Sequence, residues 1–283
     1  MIRYFLEHSV IARKIVFSFL RHFNSNQCVI DGHSFLMMPD DVGVTLEIAC
    51  TGSYEEQNLK LFKEAIRPGM TVVDIGAHVG LFTLSAARVV GPGGKVIAFE
   101  PEANNFNLLK RNVSLNGYCN VECRKQAISS ETGHSHFFAS PFNTGDHRLF
   151  YHGKERKPVE VETISLDDFS EKFHAQIDVI KMDIQGAEGE AFKGMQKVLR
   201  SNPQIVLFCE LSPSILAEVG TDPLSFLQSI ENLGFILHFI DDINLCTIPV
   251  TSEILLKKCC FHSYANFMAT RECANNSTHH SLD

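Results

Sequence analysis

Four carboxylates stand at the ends of predicted strands, the positions from which an α/β sheet contacts its ligands. They are Asp74, Glu100, Asp183 and Glu210. Because ligands of open α/β sheets bind outside the carboxyl ends of the strands, we expect the four side chains on one rim of the sheet. Carboxylates that lie close together repel one another unless a cationic or hydroxyl-rich group lies among them. The pattern therefore predicts a ligand that carries positive charge or several hydroxyls.

The turn after the first of these strands narrows the choice of ligand. It reads Asp74-Ile75-Gly76-Ala77-His78-Val79-Gly80, which is the pattern D-x-G-x-x-x-G. A dinucleotide fingerprint has glycine where this chain has His78, and Asp74 would repel a pyrophosphate. S-adenosylmethionine has no phosphate and carries a net positive charge, so an acidic first turn suits it. Gly76 lets the backbone approach the ligand, and the N-terminus of the following helix can face the ligand's carboxylate.

Glu100 follows Gly80 by twenty residues and is placed to accept hydrogen bonds from both hydroxyls of a ribose. Proteins that bind NAD use an acid in the same place. Glu100 is therefore compatible with either cofactor. A nicotinamide-dependent oxidoreductase stays open as an alternative, supported by Glu100 and the fold and opposed by His78 and Asp74.

Apolar runs alternate with helical patterns from about residue 70, which predicts a mostly parallel sheet covered by helices. The predicted strands are Thr71–Ile75, Lys95–Phe99, Val121–Ile128, Ile177–Ile184, Gln204–Leu211, Phe235–Ile240 and Tyr264–Ala269. The predicted helices are Val79–Val90, a helix around Phe106–Val113, Ala187–Arg200, and a helix that begins at Asp222-Pro223 and ends at Gly234. An inserted hairpin is expected at His134–Glu162, around an Asn143-Thr144-Gly145 turn.

The composition is that of a globular chain that can bury a core, with 45% hydrophobic and 20% charged residues among 283. Lys and Arg total 25 against 33 Asp and Glu, a formal charge of −8. A body this acidic has no general attraction for the phosphate backbone of nucleic acid, so no nucleic acid partner is expected. The nine irregularly spaced cysteines predict reduced thiols and thus a cytoplasmic location. The oligomeric state stays unknown at this level.

Residues 1–23 contain too many charges for a transmembrane helix or a signal peptide. On a helical wheel most of their apolar side chains share one side, while Arg3, Lys14 and Arg21 gather on another. The favoured interpretation is a helix that packs on its own domain; a basic amphipathic helix in peripheral contact with an anionic membrane is the alternative. We predict an N-terminal segment over 1–40 with this helix and a lead-in strand, a principal domain over 41–270 and a polar tail over 271–283.

Five segments of the chain resemble FkbM-type S-adenosylmethionine-dependent methyltransferases, in that family's order and between about residues 40 and 270. The segments are Gly52–Glu55, Arg67–Ala77, Ala98–Pro101, Thr163–Phe169 and Ile180–Glu188. The resemblance implies a Rossmann-like class I methyltransferase fold, with a mostly parallel seven-stranded sheet, helices on both faces and an inserted hairpin. It also implies S-adenosyl-L-methionine as cofactor and methyl transfer to a hydroxyl of a small molecule, such as a sugar, a lipid-linked acceptor or a natural product.

The resemblance further implies which residues bind the cofactor. They are Glu55, Asp74, Gly76, Ala77, His78, Gly80, Glu100, Pro101, Gln126 and Ala127. The first turn would line the methionine part, Glu100 with Pro101 would meet the ribose, and Gln126 with Ala127 would meet the adenine. Glu55, after Tyr54, would belong to a lid over the cofactor.

Two residues depart from the family pattern. Gln126 stands where many methyltransferases carry Asp, although its amide can still meet the edge of an adenine. Gln185 stands where the family more often has Glu, which removes one negative charge beside the acceptor site.

Methyl transfer from a sulfonium is an in-line displacement, so catalysis depends on holding the nucleophile ~3–3.5 Å from the methyl group. A hydroxyl acceptor also needs its proton removed, and a positioned base contributes about 10²–10⁴-fold. Asp183 is the first candidate for this base; alternatively it binds the ammonium of the cofactor or caps the following helix. The other candidate bases are His134, His136 and His147 on the hairpin. His134-x-His136 is a weak hint of a metal-ligand pattern, and no metal is predicted.

The acceptor itself is not identified by the sequence, because its pocket depends on the hairpin and the N-terminal segment, where the resemblance is weakest. A third interpretation also stays open, in which the chain is a non-catalytic cofactor-binding scaffold that works through residues 1–23.

Overall fold

The computed structural model describes residues 27–36, 55–138, 158–174, 176–241, 244–262 and 264–271. Some predictions made from the sequence fall outside these residues: the helix within 1–23, Tyr54, the Asn143-Thr144-Gly145 turn, His147 and nearly all of the polar tail. Within the described ranges, no helix combines the length and the hydropathy that a membrane span requires. The domain boundaries given above stay a prediction.

The described residues form thirteen strands and nine helices. The strands are β1 (Gln27–Ile30), β2 (His33–Leu36), β3 (Thr71–Ile75), β4 (Lys95–Phe99), β5 (Val121–Arg124), β6 (Ala127–Ile128), β7 (Gly133–Phe138), β8 (Pro158–Ile164), β9 (Val179–Met182), β10 (Val206–Leu211), β11 (Ile236–Asp241), β12 (Cys246–Val250) and β13 (Ala265–Thr270). The helices are α1 (Glu56–Ala65), α2 (Leu81–Val90), α3 (Ala103–Leu115), α4 (Leu166–Phe173), α5 (Glu188–Lys193), α6 (Gln196–Ser201), α7 (Pro213–Glu218), α8 (Pro223–Glu231) and α9 (Ser252–His262).

Eight strands form the central sheet, in the order β12-β11-β13-β10-β9-β3-β4-β5. The five strands from β10 to β5 are parallel neighbours, β13 is antiparallel to both β10 and β11, and β12 is antiparallel to β11. The chain runs from β3 outward to β4 and β5 and returns to β9 on the other side of β3, so the strand order reverses between β3 and β9. With helices on both faces, this is the Rossmann-like class I methyltransferase fold, as predicted. A ligand is expected outside the strand ends at this reversal.

The predicted number of seven strands is wrong, because β12 adds an eighth strand at one edge of the sheet. Pro249 lies inside β12, and a proline argues against a central strand because it cannot donate a hydrogen bond to the ladder. At an edge the missing donor is tolerated, and β12 pairs with β11 alone.

Two predicted elements are each divided into two. The first part of the predicted strand Val121–Ile128 is β5, whereas its last part, β6, joins β7 and β8 in a separate three-stranded sheet. The predicted helix Ala187–Arg200 breaks at Gly194 into α5 and α6. A Cβ at Gly194 would lie 2.0 Å from the carbonyl oxygen of Ser129, so only glycine fits there. The predicted hairpin is present as β7 and β8.

Local capping residues begin two of the helices. The Asp222 carboxylate accepts a hydrogen bond from the N–H of Ser225 at 2.8 Å, and Pro223 takes the first position of α8, where no N–H is needed. The Ser165 hydroxyl accepts from the N–H of Asp168 at 3.0 Å at the start of α4. The start predicted at Asp222-Pro223 is thereby confirmed.

Alternating side chains of the central strands bury two cores, one on each face of the sheet. Along β3, Val73 belongs to one core and Val72 to the other. By this alternation Asp74 projects to the face of Val72, and Lys181 in β9 projects to the same face as Val179. Since α1 and α2 contribute to the core on that face, polar side chains of neighbouring strands meet beneath these two helices.

Candidate active site

The turn between β3 and α2 is tight. Gly76 has a φ of +82°, and a Cβ there would lie 2.0 Å from the carbonyl oxygen of Asp183. Gly80 has a φ of +102°, and a Cβ there would lie 2.8 Å from a leucine side chain of α3. The N–H groups of Gly76 and Ala77 both donate to the carbonyl oxygen of Phe99 at 3.0 Å. Close approach to a backbone oxygen therefore explains Gly76, and a positive φ beside a packed leucine side chain explains Gly80.

Glu100 follows β4 and holds a buried carboxylate, 4% exposed, against this turn. Its Oε2 accepts from the N–H of His78 at 2.8 Å and its Oε1 from the N–H of Glu102 at 2.9 Å. Burial raises the pKa of Glu100 to about 7, although the two backbone donors oppose the shift. Each oxygen keeps acceptor capacity, so the fixed carboxylate suits a pair of neighbouring hydroxyls. His78 has a φ of +50°, the left-handed conformation that a glycine adopts readily.

A cavity of about 560 Å³ opens beside Pro101, which follows Glu100. It is lined by the loops after β4 and β5 and by β8, namely Pro101–Ala103, Cys123–Gln126 and Val159–Glu162. Gln126 is half-buried at this cavity, with its Nε2 3.4 Å from Glu162 Oε2. Ala127 is buried and packs with Val161 and Ala187. The cavity thus adjoins the residues that follow Glu100.

Asp74 is buried beneath α2, with 2% of its surface exposed. Its Oδ2 accepts a hydrogen bond from the Thr83 hydroxyl at 2.5 Å. Burial raises the pKa of Asp74 to about 6, against the opposing effects of this hydrogen bond and of Lys181. Because these contacts are with the protein interior, any effect of Asp74 on a ligand passes through the turn that it stabilises.

A group of acids gathers around one buried lysine. Lys181 is 1% exposed, and its Nζ lies 3.4 Å from Asp183 Oδ2 and 4.7 Å from the centre of the Phe82 ring. One carboxylate oxygen from each of Glu55, Asp183 and Glu210 lies within 4.8 Å of the other two. Burial alone would lower the pKa of Lys181, but Asp183, Glu55 and Glu210 raise it above its ordinary value. The lysine stays charged and supplies a cation among the acids.

Glu210 is the member of this acid group whose surroundings oppose its ionisation. Burial, followed by the negative charges of Asp183 and Glu55, raises the pKa of Glu210 well above its ordinary value, with Lys181 opposing. These effects favour the neutral form of Glu210, which lowers the negative charge of the group.

Gln185 connects the two carboxyl groups. Its Nε2 donates to Asp183 Oδ1 at 2.9 Å and to Glu210 Oε1 at 3.0 Å. The backbone of Gln185 is left-handed, with a φ of +51°. The carboxylate of Glu188 accepts from the N–H groups of the residues before and after Gln185, at 3.1 and 2.9 Å, so the turn that carries the amide is closed on both sides.

The ammonium of Lys181 and the amide of Gln185 already pair with these acidic oxygens, so we assign no metal ligands among the described residues.

His134 and His136 are exposed on β7 and stand opposite Glu162 and Glu160 in the register of the hairpin. They lie on the side of the cavity at Pro101, and none of their described interactions reaches Asp183. The prediction of no metal stays a prediction.

The sequence identifies Asp183 and Glu210 but misses what surrounds them. Lys181 interrupts the otherwise apolar strand β9, and a charge in such a strand signals a buried ion pair. Gln185 is singled out from the sequence only as a departure from the family pattern. Its bridge between two strands depends on the left-handed turn, for which the sequence offers only the neighbouring Gly186 as a signal.

The profile of the FkbM methyltransferase domain matches residues 74–237, more than half of the chain. The methyltransferase sdnD of Sordaria araneosa is 29% identical over 44% of this chain and 60% of the relative. The hexuronic acid methyltransferase AglP of Haloferax volcanii is 28% identical over 52% of this chain and 59% of the relative. The chain thus spans about 60% of the length of these curated relatives. A SAM-dependent methyltransferase structure from Aquifex aeolicus aligns with 79% of this chain and 95% of its own, at 16% identity and a TM-score of 0.43.

Proposed function

The chain belongs to the FkbM methyltransferase family, and we propose that it transfers a methyl group from S-adenosyl-L-methionine to a hydroxyl of a small-molecule acceptor. The observation that carries the proposal is the Asp183 carboxylate, which ends β9 beside the tight first turn and has its two oxygens fixed by Gln185 and Lys181. A carboxylate held in this way is suited to accept a proton beside a bound cofactor.

The residues around the first turn fit S-adenosyl-L-methionine. Glu100 offers two fixed acceptors for the ribose hydroxyls, and the cavity beside Pro101, which Gln126 lines, has room for the adenine. The methionine part would lie along the turn from Asp74 to Gly80, where its carboxylate would meet the N-terminus of α2. When bound, the cofactor supplies an electrophilic methyl group and takes the electron pair of the broken carbon–sulfur bond.

Asp183 is proposed as the general base of the transfer. Its carboxylate would take up the proton that the acceptor hydroxyl loses when its oxygen is methylated. Glu55, whose carboxylate lies near those of Asp183 and Glu210, is proposed to close the site over the cofactor. Glu210, whose surroundings favour its neutral form, would leave Asp183 as the group that takes up the proton.

The acceptor is proposed to be a sugar, a lipid-linked molecule or a natural product. One relative is named as a methyltransferase of hexuronic acid, which supports a hydroxyl-rich acceptor. The net charge of −8 supports the absence of nucleic acid among the partners. The described cysteines are free thiols, which supports the cytoplasm as the place of the reaction. Peripheral membrane contact through residues 1–23 stays a prediction.

The proposal is tested with Asp183→Asn, which keeps the shape of the side chain and removes the base. Radiolabelled methyl transfer is measured on a panel of sugars, lipid-linked sugars and natural-product alcohols, and the best acceptor is then used for kinetics. We expect kcat to fall about 10²–10⁴-fold, with S-adenosylhomocysteine bound as tightly as by the wild type. The control is Asp222→Asn, the same change at an exposed helix cap that asparagine also serves.

Two other results would assign Asp183 differently. Wild-type kcat in Asp183→Asn would exclude it as the base. A loss of S-adenosylhomocysteine binding would instead support a contact with the ammonium of the cofactor.

A further inference from the structure

Gln185 lies on a turn whose conformation leaves its side chain little choice of direction. Its φ of +51° is left-handed, an uncommon and costly conformation for a residue other than glycine. Gly186 follows with a φ of +103°, and a Cβ there would lie 2.5 Å from the side chain of Ile215. The Glu188 carboxylate binds the N–H groups on both sides of Gln185. Neighbouring residues therefore hold this strained turn in place.

The amide of Gln185 uses both of its N–H donors on carboxyl groups. Nε2 donates to Asp183 Oδ1 at 2.9 Å and to Glu210 Oε1 at 3.0 Å. Asp183 follows β9 and Glu210 belongs to β10, which are parallel neighbours in the sheet. A single nitrogen thus fixes the separation of two acidic groups from two strands, and it does so without adding a charge.

The charged groups around this pair come from several elements. Lys181 of β9 approaches the second oxygen of Asp183 at 3.4 Å. The charges of Glu55 before α1 and of Glu188 in α5 act on Glu210, and Asp74 of β3 acts on Lys181. Apart from Lys181, these groups are all acids. A glutamate in place of Gln185 would add another negative charge within hydrogen-bonding distance of both carboxyl groups.

We propose that Gln185 is the residue that positions the base: its amide holds Asp183 against Glu210 at a fixed separation and keeps a further negative charge out of the pair. The inference rests on the proposed role of Asp183 in methyl transfer. It makes Gln185 a positioning residue, since it acts through Asp183 rather than on the acceptor.

The test is a carbon-13 NMR titration of the full-length protein labelled at its aspartate and glutamate carboxyl carbons. The two signals are assigned with Asp183→Asn and Glu210→Gln. In Gln185→Glu we expect the Asp183 signal to titrate at higher pH by about one unit or more, because a neighbouring carboxylate favours the protonated form. In Gln185→Met, which removes the donor without adding charge, we expect a smaller move in the same direction.

The matched control is Gln204→Glu, the same change at an exposed position before the opposite end of β10. In this control the titrations of Asp183 and Glu210 should coincide with those of the wild type. Gln185→Met also keeps the test decisive if the extra charge of Gln185→Glu prevents folding. With an acceptor in hand, Gln185→Met should lower kcat about 10- to 100-fold and leave KM for S-adenosylmethionine unchanged.

Titrations of Gln185→Glu and Gln185→Met that coincide with the wild type would overturn the proposal. Broadening of both wild-type carboxyl signals by added Mn²⁺ would overturn it as well, because a cation between the carboxylates would displace the amide. The titration needs neither an acceptor nor methyl transfer. Its failure is therefore distinct from failure of the proposed function, which the Asp183→Asn assay measures.

Discussion

Glu100, the proposed ribose-binding residue, is a buried carboxylate whose ionised form lowers the stability of the ligand-free protein. Its oxygens are oriented by the N–H groups of His78 and Glu102, yet almost no water reaches them. The hydroxyls of a bound ribose would replace that missing water. Without a ligand, the two N–H groups offset only part of the free energy that the burial of ionised Glu100 costs. This cost depends on pH, because only the ionised form bears it.

The pH dependence of stability follows from the raised pKa of Glu100, about 7 against an ordinary 4.5. Between these values the folded state holds a proton that the unfolded state has lost, so the contribution of Glu100 to the free energy of unfolding falls as pH rises from about 4.5 to above 7. Glu100→Gln removes this dependence. We expect the difference in free energy of unfolding between the ligand-free variant and the wild type to rise by about 1–3 kcal/mol, in favour of the variant, from pH 5 to pH 8.

Urea unfolding of both proteins at pH 5 and pH 8 measures the effect. Glu171→Gln, the same change at a side chain that is 76% exposed, serves as the control and should follow the wild type at both values. Parallel pH dependence in the wild type and Glu100→Gln would show that Glu100 is ionised in the free protein at no cost.

At the level of residues, the sequence predicts the acids at the strand ends but not their partners. Glu100 and Asp183 are found from position alone, because both follow strands with strong apolar patterns. The pairing of Lys181 with Asp183 and the bridge from Gln185 to Glu210 depend on how side chains of adjacent strands meet in space. That arrangement is set by the whole sheet and is not encoded in local spacing.

Among the elements, the turn between β3 and α2 is where backbone conformation and site geometry are most closely linked. Gly76 combines a φ of +82° with a backbone oxygen 2.0 Å from the place of a Cβ. Gly69, just before β3, has a similar φ of +86° but nothing within 4 Å of such an atom. An alanine at Gly69 therefore measures the cost of a left-handed conformation alone, whereas an alanine at Gly76 adds the cost of a steric clash.

We predict that Gly76→Ala destabilises the protein by about 2–4 kcal/mol more than Gly69→Ala, because the alanine methyl group forces β3 and the residue after β9 apart. The free energies of unfolding in urea give the comparison. Gly76→Ala should also lose binding of S-adenosylhomocysteine, which Gly69→Ala should retain. Equal losses of stability in the two variants would contradict the close approach of Gly76 to Asp183.

The differences between predicted and observed elements also have local causes. The strand predicted over Val121–Ile128 is divided because its last residues pair with β8 instead of β4. The edge strand β12 is missed because Pro249 makes its sequence unlike a strand. The pairing of β6 is made with a strand more distant in the chain, which a local pattern does not contain, whereas β12 pairs with the preceding strand β11.

On the scale of the whole molecule, the sheet separates two groups of acids that the sequence suggests lie together. Glu100 lies with the first turn and the cavity at Pro101, whereas Asp183 and Glu210 gather around Lys181. The reversal of strand order between β3 and β9 places the two groups on either side of β3, at the ends of β4 and of β9 with β10. This arrangement supports one region for cofactor binding and a neighbouring one for proton transfer.

The central claim is that the strand ends bind S-adenosylmethionine, with Glu100 on its ribose. Calorimetric titration of the full chain with S-adenosylhomocysteine and with NAD tests it most directly, using the wild type, Asp183→Asn and Glu100→Gln. We predict that the wild type binds S-adenosylhomocysteine and not NAD, that Asp183→Asn retains this affinity, and that Glu100→Gln binds about 10- to 100-fold more weakly through loss of a charged acceptor. Binding of NAD alone, or undiminished affinity for S-adenosylhomocysteine in Glu100→Gln, would contradict the account.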